Sequence, residues 1–283
     1  MDERIVSVLT EGFERELYAS SLQNLNDLDN KLRLNNFASG MRELMRHVLA
    51  RLAPGDSVTK CAWYKNETDK PMGISRRQRA YFAVQGGLSN EYVRDVLKLE
   101  TESIHRALVK AIDGLSRLTH VEEAVFGLAE TYVADKALAT EEAFSALCSI
   151  IHSCREAIID ALWEEIDQAV IYQAISETIS AIDEISAHYS LEDVYINEIE
   201  IVGMGHDEIT FKATGTITAG LQWGSNSDVR RGDGLVGEES FPFTGLMWSP
   251  VDNPAQIQMK DDGLHVDTSS WTDVYYEQDE REI

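Results

Sequence analysis

Proline is scarce and unevenly placed: of five in 283 residues, only Pro54 and Pro71 precede Pro242. The first 190 residues therefore hold few of the residues that most strongly break helices. Cysteine is as rare. Cys61, Cys148 and Cys154 are odd in number and far apart, which excludes the disulfide framework of a small secreted domain and leaves buried thiols as the expectation. Cys148, His152 and Cys154 would share one helix, but offsets of four and six residues do not bring all three onto one face, and no fourth ligand is near. No metal site is expected there. No run approaches the roughly 18 apolar residues of a membrane span, and MDERIVSVLTEGFEREL has no apolar core of a secretory leader. A cytoplasmic protein without a membrane segment is the expectation. Gly-x-Ser-x-Gly, a Walker loop and a dinucleotide glycine fingerprint are all missing, as is the Asp with Glu-x-Lys pattern of a magnesium nuclease. No cofactor is expected.

Positive charge is also short. Against 49 Asp and Glu stand 25 Lys and Arg, a net charge of −24. Such a chain repels polyanions at long range, so any contact with nucleic acid has to be local. The deficit is segregated: from Arg42 to Arg79 there are nine Lys or Arg and four acids, or +5, which leaves −29 elsewhere.

Hydrophobic periodicity gives an α+β architecture, an N-terminal helical bundle over 1–190 followed by a small antiparallel β domain over 191–283. Residues 3–25 carry one helical stripe through Ile5, Leu9, Phe13 and Leu17. A second helix, NFASGMRELMRHVLARL, stops at Ala53 before Pro54. The punctuated stretch 54–75 reads as an ordered basic loop, because Trp63 and Tyr64 are too apolar for a free linker. Ser75 caps the next helix and Gly86-Gly87 ends it; Ser89 caps another, running through VRDVLKLETESIHRALVKAI. From Thr140 to His188 there is neither Gly nor Pro, and one continuous helix would exceed roughly 70 Å, so it breaks near residue 173 or projects to pack on a second copy. In ITFKATGTITAGLQW the period falls to two, which with its flanking strands predicts a sandwich or a partly closed barrel. GSNSDVRRGDG at 224–234 reads as a polar hairpin loop with Arg230 and Arg231 at its tip, WTDVYY at 271–276 as a last strand, and EQDEREI as a solvated acidic tail.

The basic island begins in GMRELMRHVLARLAP, residues 40–54. On a helix Met41, Leu44, Met45, Val48 and Leu49 share the buried side and turn Arg42, Glu43, Arg46 and His47 outward. Arg42 and His47 stand about 140° apart around the axis, so a phosphodiester reaches both only if a second surface closes the site. SRRQRAYF follows, with Arg76, Arg77 and Arg79 beside aromatics at a helix start, after a loop carrying Lys60 and Lys65. Arg46, Lys60, Lys65, Arg76, Arg77 and Arg79 are thus the candidate phosphate and base contacts. The plain alternative is that these cations pair with carboxylates on neighbouring helices.

The Arg-x4-His spacing of Arg42 and His47, with polar Glu43 after the arginine, resembles the HEPN superfamily of helical ribonucleases. GMRELMRHVLARLAP together with CAWYKNETDKPMGISRRQRAYFAVQGGL resembles the predicted nucleases encoded beside prokaryotic PIWI-type proteins in antiviral gene neighbourhoods. The resemblance covers about residues 10–110. It implies metal-independent RNA cleavage, with His47 taking the proton of a ribose 2′-hydroxyl and Arg42 stabilising the phosphorane. It also implies a homodimer or higher oligomer and a partner protein from the same defence operon. The competing class is a non-catalytic accessory or sensor subunit that docks on a nuclease or PIWI-like partner.

Overall fold

Helices dominate the chain as far as Ser176, the stretch in which proline is scarce. The computed structural model describes residues 1–271, and the chain forms two compact units, Met1–Ile158 with Gly205–Asp207 and Ile159–Met204 with Glu208–Ile283. In the first unit the single N-terminal stripe splits into α1 (Glu3–Val6) and α2 (Phe13–Asn26), because Gly12 before Phe13 takes a φ of 76° that interrupts the helix. α3 (Arg33–Leu52) buries Phe37, Met41, Leu44, Met45, Val48 and Leu49 and ends at Ala53, one residue before Pro54. Its Gly40 faces α2 so closely that a Cβ there would overlap the Ser21 hydroxyl, which is what lets the two helices pack.

The 54–75 loop is ordered, as its aromatics require. It opens with α4 (Gly55–Val58), and Val58 and Cys61 join Ala53 and Phe82 in a small core flanked by Trp63, Tyr64 and Ile74. Trp63 donates to the Gly86 carbonyl at 3.1 Å and Tyr64 to that of Gly73 at 3.0 Å, so both polar tips are satisfied. α5 (Arg76–Gln85) starts at a capping box in which the Ser75 hydroxyl accepts from Gln78 N and the Gln78 amide oxygen accepts from Ser75 N. Gly86 ends it at φ 56°. Ser89 accepts from Tyr92 N at 3.1 Å, but the helix it opens is a five-residue π turn, Tyr92–Val96. Lys98 then adopts φ 57°, and α6 (Glu102–Leu118) starts afresh; the one helix expected across 93–112 is two segments.

α7 (Glu130–Ser176) contributes to both units; at 47 residues it is about 70 Å long, and it ends close to the expected break near 173. After the four-residue α8 (Ser180–Asp183), the second unit is a meander of β1 (His188–Met204), β2 (Glu208–Trp223), β3 (Leu235–Pro250) and β4 (Gln258–Val266), paired antiparallel in that order. β2 alternates strictly, with Ile209, Phe211, Ala213, Ile217, Ala219 and Leu221 buried. Among the described residues the result is one open four-stranded sheet, neither sandwich nor barrel. Its inner face packs on a helix: Val170 of α7 lies 3.9 Å from where a Cβ on Gly245 would sit, and Ile166, Val170 and Ala174 are buried. A single apolar face needs a single cover, so no second sheet is required.

The 224–234 stretch is the connection of the β2–β3 hairpin, as its composition predicts, closing at the Trp223–Leu235 pair, and a short helix forms within it. α9 (Asn226–Arg231) has a Ser225–Asp228 capping box and ends at Gly232 in the left-handed conformation. Trp271 lies in a helical turn and stacks on Trp223, ring centroids 5.3 Å apart. Residues 272–276 of the expected last strand and the EQDEREI tail lie outside the described residues. Among the described residues no helix is long and apolar enough to cross a membrane.

Candidate functional site

α3 presents Arg42 and Arg46 one turn apart, and the capping box of α5 holds Arg76 and Arg79 in that helix's first turn. The four guanidiniums line a groove of about 420 Å³, together with Glu43 and an apolar floor of Leu49, Ala50, Ile74 and Ile112. Ile112 comes from α6, so three helices make the groove.

Each arginine is oriented. Glu43 receives Arg42 Nη2 at 3.0 Å on one oxygen and Arg46 Nε at 2.7 Å on the other. The Arg46 hydrogen bond above all, and then that of Arg42, hold the Glu43 carboxyl below its usual range. Arg42 also reaches the Thr119 hydroxyl at 3.5 Å, Arg76 pairs with Asp113 on α6, and Arg79 donates to the Ala53 carbonyl. Four guanidiniums thus face two carboxylates, Glu43 and Asp113, leaving the groove cationic in a strongly anionic chain.

His47 is half-buried on the next turn and does not line the groove. Phe13 packs against its ring at 5.1 Å with the planes at 76°, and Arg46 Nη2 lies 2.9 Å from Nε2. A guanidinium only donates, so Nε2 is the acceptor and the ring proton sits on Nδ1. Glu43 does not bond His47; its oxygens are taken by the two arginines. The side chains form a line, Arg42 to Glu43 to Arg46 to His47, along the surface of α3.

The other predicted contacts go elsewhere. Arg77 leaves the groove for an ion pair with Glu102 at 3.1 Å and lies over the Tyr81 ring, 5.2 Å from its centroid, while Tyr81 also hydrogen-bonds Glu102. Lys60 and Lys65 are exposed and have no ion pair among the described residues. Arg51, in the same basic stretch as Arg42, serves the fold: it donates to both oxygens of buried Glu14, at 3.0 and 2.8 Å. Burial, the largest single influence, would raise that carboxyl, but the hydrogen bonds from Arg51 and Thr10 together keep it below its ordinary value. Sequence reasoning missed the α6 wall, Ile112, Asp113 and Thr119; lying some seventy residues beyond the motif, they give no local signal.

Among the described residues no three His, Cys, Asp or Glu side chains are gathered as metal ligands. Cys148 and Cys154 are buried thiols, pushed up to about 12 and about 11 by burial, and His152 sits 3.0 Å from the Ser7 hydroxyl.

No curated protein and no solved structure matches the chain. Two family models do, both described as predicted pPIWI-associating nuclease, one over residues 6–147 and the other over residues 151–272. The first holds the whole arginine groove and spans half the chain, the second takes in the sheet, and the chain belongs to the predicted pPIWI-associating nucleases.

Proposed function

We propose that the protein is a metal-independent endoribonuclease of a prokaryotic anti-phage defence system, HEPN-like in its use of Arg42 and His47. The observation that carries this reading is the convergence of Arg42 and Arg46 with Arg76 and Arg79, more than thirty residues later, on one groove of a chain in a nuclease family. The groove grips the phosphate through bidentate guanidiniums, and Arg42 stabilises the charge that develops on the phosphorane. Arg46 exchanges His47 for a phosphate oxygen as RNA enters. That frees Nε2 to take the 2′-hydroxyl proton, the 2′-oxygen bonds to the adjacent phosphorus to give a 2′,3′-cyclic phosphate, and the 5′-oxygen of the next nucleotide leaves with a proton from water. The pPIWI-associating name of the family fits a PIWI-type partner, and a second protomer would supply the surface that closes the site over His47.

One observation favours a second reading, a non-catalytic RNA-binding or sensor subunit. Every groove arginine already has a partner, and His47 lies outside the groove. Cleavage of a labelled single-stranded RNA in EDTA separates the two. The nuclease reading expects cutting that falls at least about a hundredfold in His47→Ala and Arg42→Ala, as for loss of a general base or an oxyanion donor. It also expects a single 2′-deoxy substitution to block the scissile bond. RNA binding with no cleavage, unchanged in His47→Ala, supports the sensor, and cleavage that EDTA stops removes the metal-independent step.

A further inference from the structure

The negative charge of the chain is concentrated in one unit. Ile159–Met204 with Glu208–Ile283 carries 25 Asp and Glu against five Lys and Arg, a net of −20, whereas the unit with the arginine groove carries 24 against 20, a net of −4. Within the acidic unit, the last turns of α7 bury Ile166, Val170 and Ala174 and expose a different stripe. Tyr172 is 73% exposed and Ile175 is 70% exposed. At 100° per residue, Glu165, Gln168, Tyr172 and Ile175 fall within about 80° of arc, one face of the helix. Glu165, Gln168 and Tyr172 of that face wall a groove of about 600 Å³ whose other side is Ala255, Ile257 and Met259, with Ile175 one turn beyond it. β4, which begins within this wall, is an edge strand, hydrogen-bonded to β3 alone among the described residues.

A ring and an isoleucine this exposed, beside a groove that sets Ile257 and Met259 among Glu165 and three glutamines, mark a surface built for a partner. The charge around them selects its kind. A second copy would bring two units of −20 together, and a nucleic acid would bring phosphates into the same field; both are repelled. We infer that this groove docks a basic segment of another protein, with Lys or Arg alternating with aliphatic side chains. An aliphatic anchor fills the trough over Ile257 and Met259, a cation sits over the Tyr172 ring, and Glu165 holds the same or a neighbouring cation. The edge of β4 that no described strand pairs offers backbone donors and acceptors to the segment if it arrives extended.

The test uses the full chain and fluorescence anisotropy of a labelled peptide of about fifteen residues that alternates Arg or Lys with Leu. Comparators are the same peptide with Glu in place of its cations and a single-stranded RNA of equal length. The basic peptide is expected to bind and the Glu peptide not to. Tyr172→Ala combined with Glu165→Gln should weaken binding about tenfold, as for removal of an anchor residue, with an unchanged circular-dichroism melting curve showing that the fold is kept. Glu198→Gln on β1, the opposite edge of the sheet, removes the same charge and should change affinity less than about twofold. Equal weakening by Glu198→Gln and by the groove variant would overturn the proposal in favour of diffuse attraction. Tight RNA binding that the groove variant abolishes would overturn it as well. So would a dimer in sedimentation that Tyr172→Ala dissolves, which would make the occupant a second copy.

Discussion

His105 on α6 is fully buried, edge-on to the Tyr81 ring at 4.4 Å, and neither ring nitrogen has a hydrogen-bond partner among the described residues. Burial pushes its pKa down to about 4; Glu102 pulls it back up in part, and Arg77 lowers it further. The folded protein therefore binds this proton less readily than the unfolded chain, where histidine titrates near 6.5. Stability from the neutral ring is complete above about pH 6.5, is lost as pH falls towards 4, and changes no further below that; the full span is roughly 3 kcal/mol. Urea unfolding of the protein and of His105→Phe at several pH values reads this directly. The variant should lose less stability between pH 7 and 4.5, and parallel pH curves for the two proteins would show that His105 contributes nothing to the acid limb. That His105 serves helix packing follows from its place on an amphipathic helix; that it lacks a partner does not, because its neighbour Tyr81 comes from another helix. Arg51 teaches the same lesson. In the sequence it belongs with Arg42 and Arg46, and only the approach of α2 gives it to Glu14.

At the scale of elements, the Ser75–Gln78 capping box joins stability to the candidate site, since Arg76 and Arg79 are the first and fourth residues of the helix it starts. Ser75→Ala removes the acceptor for Gln78 N and should cost about 1 kcal/mol, while frayed arginines loosen the groove and weaken RNA binding. Ser75→Thr keeps the hydroxyl and should restore both. Loss of stability with unchanged RNA affinity would detach Arg76 and Arg79 from binding. This helix start was legible in the sequence because a cap is a local hydrogen bond between residues three apart. The break between Val96 and Glu102 was not: LKLET carries no proline or glycine, and only the left-handed Lys98 after the π turn makes it. The sheet was half legible. Period-two alternation says that one face is buried, and it reads the same whether a sheet or α7 covers that face.

For the whole molecule the decisive quantity is the contrast between a net charge of −24 and a groove of four arginines. On the proposed function the two act on RNA over different distances. At about 0.01 M salt the screening length is about 30 Å, so an approaching RNA feels the full charge; at about 0.1 M it is about 10 Å, and mostly the groove remains. Added salt therefore first removes a repulsion and only later competes with the contacts. Affinity for a single-stranded RNA, measured on His47→Ala because the proposed mechanism has that variant bind without cutting, should rise from about 10 mM to about 100 mM salt and then fall. On the falling limb, two to four phosphate contacts give a slope of about −1.4 to −2.8 in log K against log salt. The segregation of +5 in residues 42–79 was visible in the sequence, but the contact count was not, because Arg51 and Arg77 turn to Glu14 and Glu102. A monotonic fall from the lowest salt with a slope steeper than about −4 would mean that more cations than the groove holds meet the RNA, with Lys60 and Lys65 the first to replace. A maximum near 100 mM that Arg42→Ala and Arg76→Ala flatten would tie binding to the groove.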